Sequence, residues 1–215
     1  MKTLLAVSFA AVLQLSPAAH GQENGAANKP WVAMAQLTRN GATGGAAVYL
    51  GSGLVLTAAH LVDPGADMGV ILAGAKLPAK VLKQGVYEDI DLSLLMVDQT
   101  KLAHALPAVQ LCSVPPWPGD PVIVIDAANA TRSRIAAPAL LSSWLRYRFS
   151  TLIVDVATTG NSGSGVFDPE NKCLLGIMSR KFTVSSPNGP KDIAKYFVPA
   201  QLIQSFMQMA EIPRE

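Results

Sequence analysis

The chain reads as an all-β protein in two halves, closed by one C-terminal helix. Short β-branched or apolar runs alternate with Gly-, Asn- and Asp-rich turns on both sides of a proline-rich stretch, Val114-Pro115-Pro116-Trp117-Pro118. Regular spacing of this kind belongs to antiparallel barrels or sandwiches and not to βα units. Only the tail from Pro199 departs from it, with apolar residues at helical spacing.

The first residues stand outside that pattern. Lys2, the apolar run Leu4 to Leu15 and the small residues through Gly21 have the layout of a secretory signal peptide. Residues 1–21 are therefore expected to be removed, by cleavage after Ala18 or, in the preferred reading, after Gly21. Residues 22–30 read as a flexible mature N-terminus. The apolar run is too short to cross a bilayer, and no later stretch reaches the span of about 20 residues that crossing needs. The expectation is an exported protein, periplasmic or secreted, with no membrane partner.

The first strand set, in a unit spanning 31–113, covers Trp31–Leu37, Ala46–Leu50, Gly53–Leu56, Gly69–Leu72, Ala79–Lys83 and Leu92–Val97. The second, in a unit spanning 114–198, covers Pro121–Ile125, Ala139–Ser143, Arg146–Val156, Gly165–Phe167, Cys173–Ser179 and Tyr196–Val198. Over 199–215, Leu202, Ile203, Phe206, Met207 and Ala210 mark one face of a helix behind a proline suited to a first turn. Arg132, Arg134, Arg146 and Arg148 read as solvated positions.

A mature chain of about 194 residues holds one large all-β domain or two small barrels, without room for an appended module. Removing Lys2 from 17 basic residues leaves 16 against 15 acidic ones. So even a balance predicts neither nucleic-acid nor anionic-membrane binding. The chain has two cysteines, Cys112 and Cys173. In an oxidising compartment they are expected to form one bridge; unpaired, each would pack as a small apolar side chain. His60 and His104 are the histidines beyond the signal segment. With no Cys/His/carboxylate cluster, no metal site is expected.

Three segments carry chemistry: Thr57-Ala58-Ala59-His60, Asp91-Leu92-Ser93-Leu94-Leu95 and Gly160-Asn161-Ser162-Gly163-Ser164. They offer a histidine, an aspartate and a serine. A serine hydroxyl is a weak nucleophile at neutral pH, so it needs an imidazole to take its proton and a carboxylate to hold that imidazole's tautomer. Asp89 is a rival to Asp91 on the same face of an extended strand, and Ser164 a rival to Ser162. The order His, Asp, Ser, with serine at 164, excludes the α/β-hydrolase pattern, in which serine leads and glycine stands two residues away on both sides.

The local sequences around these residues resemble the trypsin/chymotrypsin superfamily, closest to its bacterial HtrA-like and glutamyl-endopeptidase-like branches, without a PDZ domain. The resemblance covers roughly Trp31 to Ala210. It implies two perpendicular six-stranded antiparallel β-barrels with a C-terminal helix, His60 and Asp91 on the first barrel, Ser162 on the second and the site between them. It selects Asp91, immediately before an apolar strand, over Asp89, and Ser162 over Ser164. Backbone N–H groups of Gly160 and Ser162 would form the oxyanion hole. Gly176-Ile177-Met178-Ser179 resembles the family's GIVS strand, which implies a bond from Ser179 to Asp91 and a substrate strand added along Ser179, Arg180 and Lys181.

The resemblance therefore implies an exported serine endopeptidase, cofactor-free, acting on polypeptides; a catalytically silent binding protein on the same fold is the alternative. Asn161, where the zymogen members carry an aspartate, implies competence without N-terminal processing. Val156 falls at the base of the specificity pocket and carries no carboxylate, which disfavours cleavage after Arg or Lys. Small or medium apolar residues are preferred there. An acidic preference would draw on Lys181 and Lys195, although the histidine of the glutamate-specific members is missing.

Overall fold

A computed structural model of the chain describes residues 30–154, apart from 138 and 140, together with 161–209. The segments read as signal peptide and mature N-terminus, up to residue 29, lie outside the described residues, as do 155–160 and 210–215.

Six strands make the first half: β1 (Met34–Arg39), β2 (Ala42–Gly51), β3 (Leu54–Thr57), β4 (Met68–Leu72), β5 (Ala75–Gln84) and β6 (Ser93–Val97). They close into an antiparallel barrel in the order β1-β2-β3-β6-β5-β4. The β1–β2 hairpin turns on Asn40 and Gly41, both at positive φ (50° and 79°). That pair of left-handed residues gives the turn whose twist matches two right-twisted strands. Inward positions such as Leu37, Tyr49, Val55, Val70, Leu72 and Leu95 fill the barrel.

The second half holds β7 (Pro121–Ile125), β8 (Ala130–Arg134), β9 (Leu152–Ile153), β10 (Gly165–Phe167), β11 (Leu174–Ser186) and β12 (Gly189–Pro199), in the order β8-β7-β10-β11-β12-β9. Its two ends meet at the bridge Ile135–Ile153 and at the bond from Ala136 N to Leu152 O, 2.7 Å. Among the described residues there are two α-helices, α1 (Ser143–Arg148) and α2 (Ala200–Gln208). No described helix is long and apolar enough to cross a membrane.

Three elements differ from the sequence expectation. Ser142 opens the short helix α1, so among the described residues of Ala139–Ser143 there is no strand, and of the one expected at Arg146–Val156 only β9 is described as strand. Of the described side chains on α1, only that of Leu145 is buried. One buried residue leaves no helical period to read. β8 alternates exposed arginines with a buried serine at the sheet's edge and carries no apolar signal. β11 and β12 run on as a long hairpin paired from Gly176–Pro199 to Ser186–Gly189; the polar Thr183 to Asp192 segment, with Pro187, Gly189 and Pro190, lies beyond the strands expected from the sequence.

The largest apolar cluster lies between the two halves. Met34, Val48, Leu56, Leu92 and Leu94 of the first pack with Ile125, Phe167, Ile177, Tyr196 and Val198 of the second, and Ile203 and Phe206 of α2 join them. Lys83 of β5 reaches across: its Nζ donates to Phe206 O at 3.0 Å and stands 4.5 Å from that ring's centroid. A cation at a helix C-terminus is favourable there. Behind the second sheet, Cys112 and Cys173 form a disulfide with Cα atoms 5.1 Å apart. It fastens the segment joining the halves to the start of β11, where Cys112 N also donates to Leu174 O.

The disulfide closes a loop across a sequence separation of 61 residues. A cross-link of that span stabilises by about 2–4 kcal/mol. Replacing both cysteines by serine is expected to lower the unfolding free energy by that amount, measured by denaturant titration against the oxidised parent.

Candidate active site

His60 follows β3 directly. Thr57 ends that strand with its Oγ1 donating to Ala46 O at 2.7 Å, and Ala58 and Ala59 are fully packed, so nothing larger fits behind the imidazole. A single turn of 3-10 helix, Ala59–Leu61, then presents His60 with 29 % of its side chain open. The Gln84 amide braces this turn by donating to Ala59 O (3.3 Å) and Val62 O (2.9 Å).

Asp91 stands just before β6 and is completely buried, whereas Asp89 is exposed. Its Oδ1 accepts the His60 backbone N–H at 3.0 Å; its Oδ2 meets His60 Nδ1 at 2.8 Å and accepts the Ser179 hydroxyl at 2.6 Å. Burial by itself pushes the carboxyl's pKa up. The bonds from the His60 ring, the Ser179 hydroxyl and the His60 backbone outweigh that effect and hold it below the usual carboxylate range.

Ser162 lies on the loop into β10. The loop is docked on the first barrel by Ala46 N donating to Ser162 O (3.0 Å) and on β11 by Gly163 N donating to Met178 O (2.8 Å). Gly163 has φ +85°, and a Cβ there would sit 1.8 Å from Ala46 O and 2.7 Å from Thr57 Oγ1. Only glycine fits both constraints. The Ser162 hydroxyl donates to Ser179 O at 3.1 Å and not to His60. Ser164 is fully buried, and its hydroxyl has no partner among the described residues. Gly160 and Val156, the expected oxyanion and pocket residues, lie outside the described residues.

Ser179, Arg180 and Lys181 sit on β11 beyond the last residue that β10 pairs with, so no strand among the described residues pairs with that side. Arg180 turns back toward the site. Its Nε donates to Ser179 Oγ at 3.3 Å, its Nη2 donates to the Tyr87 carbonyl, and its guanidinium lies 4.1 Å over the Tyr87 ring. Tyr87 in turn meets His60 edge-on at 5.3 Å. Lys181 and Lys195, expected as a cationic pair for a substrate carboxylate, are cross-strand partners. Lys181 Nζ is already bound to Asp192 at 3.0 Å. Burial and the Lys181 charge lower the pKa of Lys195, with Asp192 opposing them. The sequence reading did not single out Gln84, Tyr87 or Asp192. Each lies in a polar stretch without motif context, and their partners lie in segments distant in sequence.

Comparison with known proteins follows from this geometry. A family model described as "Trypsin-like peptidase domain" matches residues 42–177. Among curated proteins, none matches the chain in sequence. A serine-to-alanine mutant of Rv3671c from M. tuberculosis H37Rv, in an inactive form, is 18% identical at a TM-score of 0.60, over 86% of this chain and 91% of that one. Kallikrein-related peptidase 10 in complex with Zn2+ is 18% identical at a TM-score of 0.61, over 83% and 94%. At that identity the solved structures speak for the fold. The family model spans more than half of the sequence: the chain belongs to the trypsin-like peptidase domain family and is a hydrolase of the serine endopeptidase class.

Proposed function

We propose that the protein is an exported serine endopeptidase in which Ser162, His60 and Asp91 form the catalytic triad. The observation that carries this reading is the hydrogen-bonded unit at Asp91, where one fully buried carboxylate holds both the His60 ring and its backbone. A carboxylate on Nδ1 fixes the tautomer with Nε2 free to accept a proton.

The Ser162 hydroxyl rotates from the Ser179 carbonyl toward His60, and Oγ attacks the carbonyl carbon of the scissile peptide as its proton passes to Nε2. The C–N bond then breaks, the imidazolium returns the proton to the leaving amine, and an acyl-enzyme remains. Water activated by His60 hydrolyses it. The N–H groups of Gly160 and Ser162 are assigned to the oxyanion; the Ser162 N–H has no backbone acceptor among the described residues. The substrate backbone pairs along the open side of Ser179–Lys181. Val156 is assigned to the base of the pocket, which favours apolar side chains, and with Lys181 held by Asp192 an acidic preference loses one of its two cations. Export rests on the signal-like residues 1–21 and is consistent with the disulfide.

A fluorophosphonate probe is expected to attach covalently to Ser162 and to leave Ser162→Ala unlabelled, read by peptide mass mapping. A folded wild-type protein that resists labelling would instead support the silent binding protein.

Asp91→Asn keeps the shape but favours the wrong imidazole tautomer, and turnover on a cleaved peptide is expected to fall by about 10⁴. The pH dependence carries a sign. Because the folded carboxyl titrates below its usual range, its stabilising contribution is complete above the unfolded value near 4 and is lost as pH falls through the folded value. Unfolding free energy measured between pH 7 and pH 2 should therefore fall more steeply for the parent than for Asp91→Asn.

A further inference from the structure

Beside Ser162, on the side away from β11 and β12, the two halves enclose an open void of about 430 Å³. Gln36, Thr43, Leu61, Asp126, Asn161 and Ser162 line it, and no residue of β11 or β12 does. Assigning the substrate strand paired along Ser179–Lys181 to the acyl half leaves this void for the half that departs as the amine. An extended chain advances about 3.4 Å per residue, so a void of this volume next to the nucleophile serves the first two residues beyond the cleaved bond.

Asp126 is the one charged residue among the described residues lining the void. It directly follows β7, is only 9% exposed, and its Oδ1 accepts the backbone N–H groups of Ala128 and Asn129, both at 2.8 Å. Its other oxygen has no hydrogen-bond or ion-pair partner among the described residues. A turn of this kind needs one acceptor oxygen, which asparagine supplies equally well. The negative charge is therefore surplus to the turn. Beside a partly enclosed void, a carboxylate with one oxygen left open attracts a cation more strongly than it would in open water. Leu61 offers an apolar surface for a methylene stem, and the carboxamides of Gln36 and Asn161 accept further N–H bonds.

We propose that Asp126 makes this void a subsite for a lysine or arginine side chain at the first or second position after the scissile bond. The inference rests on the endopeptidase reading and narrows its substrates to polypeptides that are basic just beyond the cut.

The test is a digest of a denatured bacterial proteome by the folded full chain, with the new amino termini sequenced by mass spectrometry. Lysine and arginine are expected at the first two positions after the cut about three- to tenfold above their abundance. Asp126→Asn, which keeps the turn's acceptor, is expected to remove the enrichment. No enrichment in the wild type, enrichment of acidic residues, or basic enrichment that survives in a folded Asp126→Asn protein would each overturn the proposal. The wild-type profile alone decides it if the variant does not fold. A digest without new termini, from protein that the fluorophosphonate also fails to label, would mark failure of the endopeptidase reading itself, and this inference would fall with it.

Discussion

The carboxylate of Asp91 is the junction on which the rest of the site depends. It belongs to the first barrel, yet it accepts the hydroxyl of Ser179 from the second half and the ring of His60 from its own. A fully buried charge is costly unless its lone pairs are met. Here three donors meet them, two from one half and one from the other. Separating the halves would strand this group, so docking and imidazole orientation are one energetic event.

Apolar packing works in the same direction. The cluster between the halves draws on β1, β2, β3 and β6 from one side and on β7, β10, β11, β12 and α2 from the other. The ties of neighbouring residues on β5 then divide the labour. Lys83 holds the C-terminal turn of α2, and Gln84 holds the turn that presents His60. The position of the histidine is thus referred to the helix through a single peptide unit.

Legibility in the sequence followed the strength of local signals. His60, Asp91 and Ser162 sit in short segments whose small residues have steric reasons to be small, and these segments were readable. The strands of the first barrel were readable too, because alternation survives where one face is buried. α1 and β8 were not. The described side chains of α1 include one buried residue, and β8 has arginines where an inner strand would have apolar side chains. The long β11–β12 hairpin was hidden because its outer half stabilises itself by polar cross-strand pairs, Lys181 with Asp192 and Thr183 with Asp192, which leave no hydrophobic period. The pairing of Lys181 with an acid 11 residues further on lies beyond any local reading of the chain. Asp126 and Tyr87 became visible only when distant segments were brought together.

Gly163 separates two kinds of information in this chain. Its backbone conformation and the oxygen of Ala46 forbid any side chain there, whatever chemistry the neighbouring residue performs. A descendant that exchanged Ser162 for another residue would still have to keep this glycine in order to fold. Glycine at 163 therefore speaks for architecture, and the hydroxyl at 162 speaks for the proposed chemistry. An aligned set of related chains, scored separately at these two adjacent positions, would distinguish inherited scaffolds from working proteases.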